Sequence, residues 1–302
     1  MRLLAGHMSL PPYLLIPLAC GLFYVLSMLC LKRADELGVG LWRTTFVANW
    51  ACALAFLPWW LHAGWAPVPW TLYWQPLTGA LLFLAAQVCM FLAITRGDVS
   101  VAAPVMGVKV ILVALLSSVL FAEGVPFKWW IGAALSTLAV GLLNLGGKGQ
   151  HHRRVGQTVV LTLISAVLYS LSDVLLQRWG GAWGAGNYMP PLFFFVGLFS
   201  FGLLRFAHGG IFAITRPAWR WVIPGAIFNA LTNGGIALTL GIWGNATAVN
   251  IVYSTRGLFS VLVVWLAGHW FANTERQAGR AVLVSRLIGA LLILAAIALV
   301  VV

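Results

Sequence analysis

The sequence predicts an all-α integral membrane protein of ten transmembrane helices, built as two inverted-topology five-helix repeats. Three observations carry this. The 302 residues are 62% hydrophobic and only 8% charged, where a soluble domain carries roughly a quarter charged residues. The apolar stretches are long enough to cross about 30 Å of hydrocarbon, at about 20 residues each. Finally, the second half of the chain repeats the pattern of the first.

The spans fall at 12–31, 44–61, 76–95, 99–122, 128–146, 157–177, 190–206, 221–241, 247–270 and 283–302. Only eleven residues precede the first, and it lacks a small-residue cleavage signature, so it is expected to remain as a helix. Trp59, Trp60, Trp65, Trp70, Trp74, Trp129 and Trp130 cluster at span ends, as an interfacial aromatic belt does. In the fourth and ninth spans the runs GDVSVAAPVMGVKVILV and GNATAVNIVYSTRGLFSV superpose from Gly97 and Gly244 at an offset of 147, so that Ser100 meets Thr247 and Lys109 meets Arg256. GLFYVLSMLCLKR in the first span matches AVLYSLSDVLLQR in the sixth at an offset of 145, pairing Tyr24 with Tyr169 and Ser27 with Ser172. Ile131-Gly132-Ala133 in the fifth has its counterpart in Ile288-Gly289-Ala290 in the tenth. The repeats therefore cover 12–146 and 157–302, with 147–156 as a basic linker. Five is an odd number, so the two repeats enter the membrane in opposite directions. Small residues, Gly132, Ala133, Ala134 and Gly141 in the fifth span and Gly289 and Ala290 in the tenth, favour close helix packing in lipid.

Lys109 and Arg256 are the candidate site. A charge in the middle of a span costs about 2.5–3.5 kcal/mol on insertion scales and is kept for a partner, a water-filled cavity or a ligand. If the two helices start near Ser100 and Thr247, nine residues of rise place each cation about 13 Å deep, near the midplane from either face. At 100° per residue, Asn250, Tyr253, Arg256 and Ser260 form one polar stripe on the ninth helix. Asn229 and Asn233 form a second on the eighth; Tyr169, Ser172 and Asp173 form a third on the sixth. Such stripes face a cavity or another helix. Asp173 has two readings, a counter-ion for Arg256 or an interfacial carboxylate, and Glu123 and Glu275 read as caps or gates at helix ends.

Several classes are excluded or disfavoured. The net charge of +12 is spread over short loops, which fits topology signalling and no nucleic-acid partner. Cys20, Cys30, Cys52 and Cys89 lack metal-ligand spacing and read as packing residues; no metal or other cofactor is expected. No Walker motif is present. Ser260 and His269, nine residues apart on one helix, are too far apart to act as nucleophile and base, so the chain is not expected to be an enzyme.

AITRGDVSVAAPVMGVKVILVALLSSVLFAEG, IGAALSTLAVGLL, and their counterparts from Gly244 through IGALLILAAIALV give the chain a resemblance to the drug/metabolite transporter superfamily, in its ten-helix EamA-type form. The resemblance implies secondary active transport of a small solute by alternating access. It also implies that Lys109 and Arg256 correspond to basic residues that the superfamily's sugar-phosphate and nucleotide-sugar branches set against substrate phosphate. The expected substrate-binding set is Lys109, Arg256, Tyr253, Asn250, Tyr24, Tyr169, Asn229 and Asn233. Lys109 and Asp173 are the coupling candidates, because arginine stays protonated at any working pH. The expected partners are the lipid bilayer, a small anionic or zwitterionic metabolite such as an organic phosphate, carboxylate or amino-acid-like solute, and protons if the carrier is proton-coupled instead of an exchanger. Oligomeric state is left open. Alternative readings are a broad exporter of amino acids or cationic drugs and, more remotely, an intramembrane enzyme or lipid-linked scaffold.

The expected location is a plasma membrane, the inner one in a bacterium. Loops after odd-numbered spans hold Lys32, Arg33, Arg43, Arg96, Lys148, Arg153, Arg154, Arg205, Arg216, Arg220, Arg276, Arg280 and Arg286, against Arg2, Lys128 and Arg178 on the other face. This bias puts the odd loops in the cytoplasm and both termini outside, opposite to the orientation usual in the resembled family.

Overall fold

The computed structural model describes residues 11–62, 69–96, 99–121, 125–144, 155–207, 213–267 and 280–301, and among these residues it is helical throughout, without strands. The helices are α1 (Leu15–Glu36), α2 (Leu41–His62), α3 (Trp74–Arg96), α4 (Val99–Met106), α5 (Lys109–Leu120), α6 (Phe127–Asn144), α7 (Val155–Trp183), α8 (Ala185–Ser200), α9 (Arg216–Trp243), α10 (Ala246–Tyr253), α11 (Arg256–Ala267) and α12 (Arg280–Val301). α4 with α5, and α10 with α11, are each one span interrupted in its middle. With those two pairs joined, the helices make the ten expected spans. Glu123, Glu275, His269 and linker residues 147–154 lie outside the described residues.

Local sequence accounts for the ends. Gly38 and Gly40, with φ of 82° and 83°, reverse the chain between α1 and α2, a backbone region open to glycine without steric cost. Gly184 at φ 77° does the same alone between α7 and α8. That one-residue corner is why α7 runs on to Trp183, past the expected end at 177, and why the next helix starts at Ala185 instead of 190. Its last turns tighten into a 3-10 helix over Phe201–Phe206.

The helices pair in a symmetric pattern. α1 packs along α9, and α3 along α7; exchanging first-half and second-half spans converts one pair into the other. α2 packs on α8, and α6 on α12, each pair mapping onto itself. Leucines such as Leu54, Leu81, Leu138 and Leu291 stay exposed on the outer surface, and six of the helical segments are long and apolar enough to cross a membrane. The α6 and α12 contact depends on small residues. A Cβ on Gly289 would come within 2.9 Å of Leu143 and 3.0 Å of the Ala139 carbonyl, and one on Gly132 within 3.3 Å of the Ala296 carbonyl. Ala133 is fully buried beside them. Gly141, by contrast, has open space around it, and Ala134 is exposed, so these two take no part in the close approach that their spacing suggested.

Gly289→Val is expected to lower stability by about 1–3 kcal/mol through overpacking, whereas Ala134→Val stays within about 0.5 kcal/mol. Thermal unfolding of the two purified variants, followed by size-exclusion chromatography, checks both.

Candidate functional site

The two interrupted spans break at matching places. Each consists of a half-helix of eight residues followed by one of twelve, and Lys109 and Arg256 are the first residues of the longer halves. The causes differ chemically. In the first repeat Pro104 removes a backbone donor, and the amides of Gly107 and Val108 reach back only three residues, to the carbonyls of Pro104 and Val105. In the second repeat Ser254 Oγ donates to the Ile251 carbonyl at 2.6 Å and Thr255 Oγ1 to that of Val252 at 2.7 Å, side-chain competition that loosens a helix. Freed backbone groups are met by neighbours. Thr137 Oγ1 on α6 donates to the Gly107 carbonyl at 3.0 Å. Ser170 Oγ on α7 donates to that of Lys109 at 3.2 Å. Gly21 lets α1 lie against the second break, where a Cβ would sit 3.2 Å from the Arg256 amide nitrogen.

Between the halves lies a cavity of about 210 Å³, lined by residues that include Tyr24, Gln87, Lys109, Tyr169, Asp173, Asn229, Asn233, Tyr253 and Arg256. Lys109 Nζ is 2.8 Å from Asp173 Oδ2, and Asn250 Nδ2 donates to the same oxygen at 2.9 Å. Lys109 also lies 5.6 Å from the centroid of the Tyr169 ring. Arg256 has a different environment. Its guanidinium carbon lies 5.0 Å from the Tyr24 ring and 4.5 Å from the Tyr253 ring, and these rings meet edge to face at 6.1 Å. Among the described residues no carboxylate comes within 4.0 Å of it. Cation–π contacts are worth about 2 kcal/mol or more when desolvated; they reduce the cost of the buried charge without cancelling it.

Each tyrosine of the matching pair thus faces the cation of the opposite repeat. The register that equates Tyr24 with Tyr169 also equates Met28 with Asp173. Met28 lines the cavity one turn beyond Tyr24, where Asp173 stands one turn beyond Tyr169. The second repeat therefore supplies a carboxylate to Lys109, and the first has a thioether at the matching position.

Of the residues expected at the site, seven line the cavity: Lys109, Arg256, Tyr253, Tyr24, Tyr169, Asn229 and Asn233. Asn250 does not; it stands behind Asp173 and orients it. Asp173 forms its ion pair with Lys109, a partner that neither sequence reading named, and it is buried instead of interfacial; its charge also acts on Arg256 without contact. The single stripe expected on the ninth helix is divided by the break after Tyr253, and Ser260 Oγ donates locally to the Gly257 carbonyl at 2.7 Å. Gln87 was missed. It lines the cavity and exchanges two hydrogen bonds with Asn49, at 3.1 and 3.2 Å; a lone amide in an apolar span was the only signal. Asn233 Nδ2 donates to Asn229 Oδ1 at 2.7 Å, a second amide pair on the wall.

One end of the interior is closed. All eight residues of α10 are buried, and α10 packs on α5. Gln177 Oε1 accepts from the Ala246 amide at 2.8 Å, Tyr13 stacks on Trp243 at 5.7 Å, and Asn245 Nδ2 donates to Tyr13 at 3.4 Å. At the other end α4 and α11 are largely half-buried where described.

The fold is that of a multi-pass helical membrane protein, with six described helical segments long and apolar enough to cross a membrane. Residues 11–145, just under half of the chain, match the model of the EamA-like transporter family. Among chains of known structure, one crystal structure aligns over 96% of this chain and 96% of its own at a TM-score of 0.75, with 16% identity; at that identity the likeness is one of fold. No curated protein matches.

Lys109→Ala leaves the Asp173 carboxylate buried without its cation and is expected to cost about 3–5 kcal/mol of stability. Lys109→Ala with Asp173→Asn should recover most of that loss. Denaturation midpoints of the single and double variants test the pairing.

Proposed function

We propose that the protein is a secondary active transporter that moves a small anionic or zwitterionic metabolite by alternating access, as an exchanger or a proton-coupled carrier. The observation that carries this is the cavity's charge: Lys109, Arg256 and Asp173 sum to one formal positive charge, and among the described residues no carboxylate forms an ion pair with the arginine. An anion supplies the missing counter-charge. Tyr24, Tyr169 and Tyr253 flank the cations, while Asn229 and Asn233 offer hydrogen bonds to the uncharged part of a solute. The repeats are taken as 12–146 and 157–302, with 147–156 between them. Interior packing at one end and looser helices at the other fit one of two alternating states.

The competing reading, an exporter of cationic drugs or amino acids, would use Asp173 as its anchor. That carboxylate already accepts from Lys109 and Asn250, so a cation would have to displace a bonded lysine. Lys109 and Asp173 are the pair on which proton coupling would act, since a change in either one's charge alters the cavity's balance. The Lys/Arg asymmetry of the loops favours cytoplasmic odd loops and extracytoplasmic termini.

In proteoliposomes supplied with labelled carboxylates and organic phosphates, Arg256→Ala is expected to abolish uptake. Removing one partner of a desolvated charge pair costs about 2–5 kcal/mol. Uptake at unchanged apparent affinity would assign the arginine a structural role. For orientation, a reporter active only in the cytoplasm and fused after Val302 should stay silent; activity there reverses the topology.

A further inference from the structure

Resting on the anion reading of the cavity, we infer that the solute carries a single carboxylate and no ammonium group, and that this carboxylate docks on Arg256 beside Met28, in the place that Asp173 fills beside Lys109 in the other repeat. The pseudo-symmetry supplies the argument. Around Lys109 the set is complete, with a tyrosine of the opposite repeat under the cation and, one turn further along the same helix, a carboxylate at 2.8 Å. Around Arg256 the tyrosine is present and the carboxylate position is Met28. Met28 is 39% exposed and lines the cavity, so that position opens onto the space where a solute lies.

Charge fixes the solute's valence. One guanidinium that has no ion pair among the described residues balances one negative charge, and its planar fork of donors matches a carboxylate in two parallel hydrogen bonds. A phosphate monoester brings about −1.5 to −2 at pH 7 and would need a second free cation, but Lys109 is already neutralised. A solute ammonium would have to share Asp173 with Lys109 and Asn250. The remainder of the solute meets the Asn229 and Asn233 amides and the apolar faces of Phe83 and Phe193, which suits a short chain with an uncharged polar substituent.

Thermal stabilisation of the purified full-length protein by four-carbon probes tests this: butyrate, succinate, γ-aminobutyrate, butylammonium and, as a further dianion, inorganic phosphate. Butyrate should stabilise the wild type at lower concentration than any of the others. Met28→Asp, which restores the missing carboxylate, should weaken butyrate at least about tenfold. Asp173→Asn leaves Lys109 unpaired, and the preference should move from butyrate to succinate. Tightest wild-type binding of succinate or phosphate would overturn the single-charge inference and leave the anion reading standing. Binding of butylammonium alone would overturn both. No butyrate binding, or unchanged butyrate binding in a monodisperse Met28→Asp protein, would remove the proposed docking place.

Discussion

A helix interrupted at the depth of hydrocarbon leaves backbone groups that lipid cannot satisfy, so such a break survives only where protein or a water-filled cavity surrounds it. The rest of this structure follows from two such breaks, before Lys109 and before Arg256. Each is enclosed by a neighbouring first-of-repeat helix, α7 for one and α1 for the other. Each places a cation at the start of the following half-helix, turned inward. The close approach of α1 at Gly21, the hydroxyl of Thr137 from α6 and that of Ser170 from α7 are the means by which the scaffold tolerates the breaks. The long contacts of α6 with α12 and of α2 with α8 complete the scaffold.

Part of this was legible in the sequence because it depends on register. The two offsets, 147 and 145, pair Lys109 with Arg256 and Tyr24 with Tyr169, whereas which tyrosine faces which cation is given by the packing. The breaks were not legible. Pro104 with Gly107 in one repeat and Ser254 with Thr255 in the other are different chemistry for the same geometry, and each also occurs in unbroken membrane helices. The partner of Asp173 was hidden for another reason. A helical projection shows which residues share a face but not what stands opposite them: Asn250 and Tyr253 lie on the same half-helix, α10, yet Asn250 meets the carboxylate while Tyr253 lines the cavity.

Two apolar positions also escaped a reading based on polar residues. Met28 and Met106 occupy the places of Asp173 and Tyr253 in the other repeat, and both line the cavity. As single methionines in apolar helices they are indistinguishable from packing residues, and their meaning comes only from what stands opposite them. The repeats differ at these cavity positions, while the helix-pairing pattern remains symmetric.

That divergence has an electrostatic consequence. With aspartate at both positions 28 and 173, each cation would be answered within the protein and the cavity would hold no net charge to bind an anion. With methionine at both, two uncompensated cations would face each other across a small volume, at a desolvation cost of several kcal/mol per ion. One carboxylate for two cations is the intermediate case. It leaves the empty cavity with a single unmet charge, bearable because two tyrosine rings lie against it, and on the proposed reading a bound anion would complete the balance. Alternating access would then add a further requirement: α10 is packed on α5, and the pseudo-symmetric alternative would pack α4 on α11. A cavity with an unmet arginine would resist closing over itself between these arrangements. An anion beside Met28 would remove that opposition, so that occupancy of the site and passage between the two packings would be coupled through one ion pair.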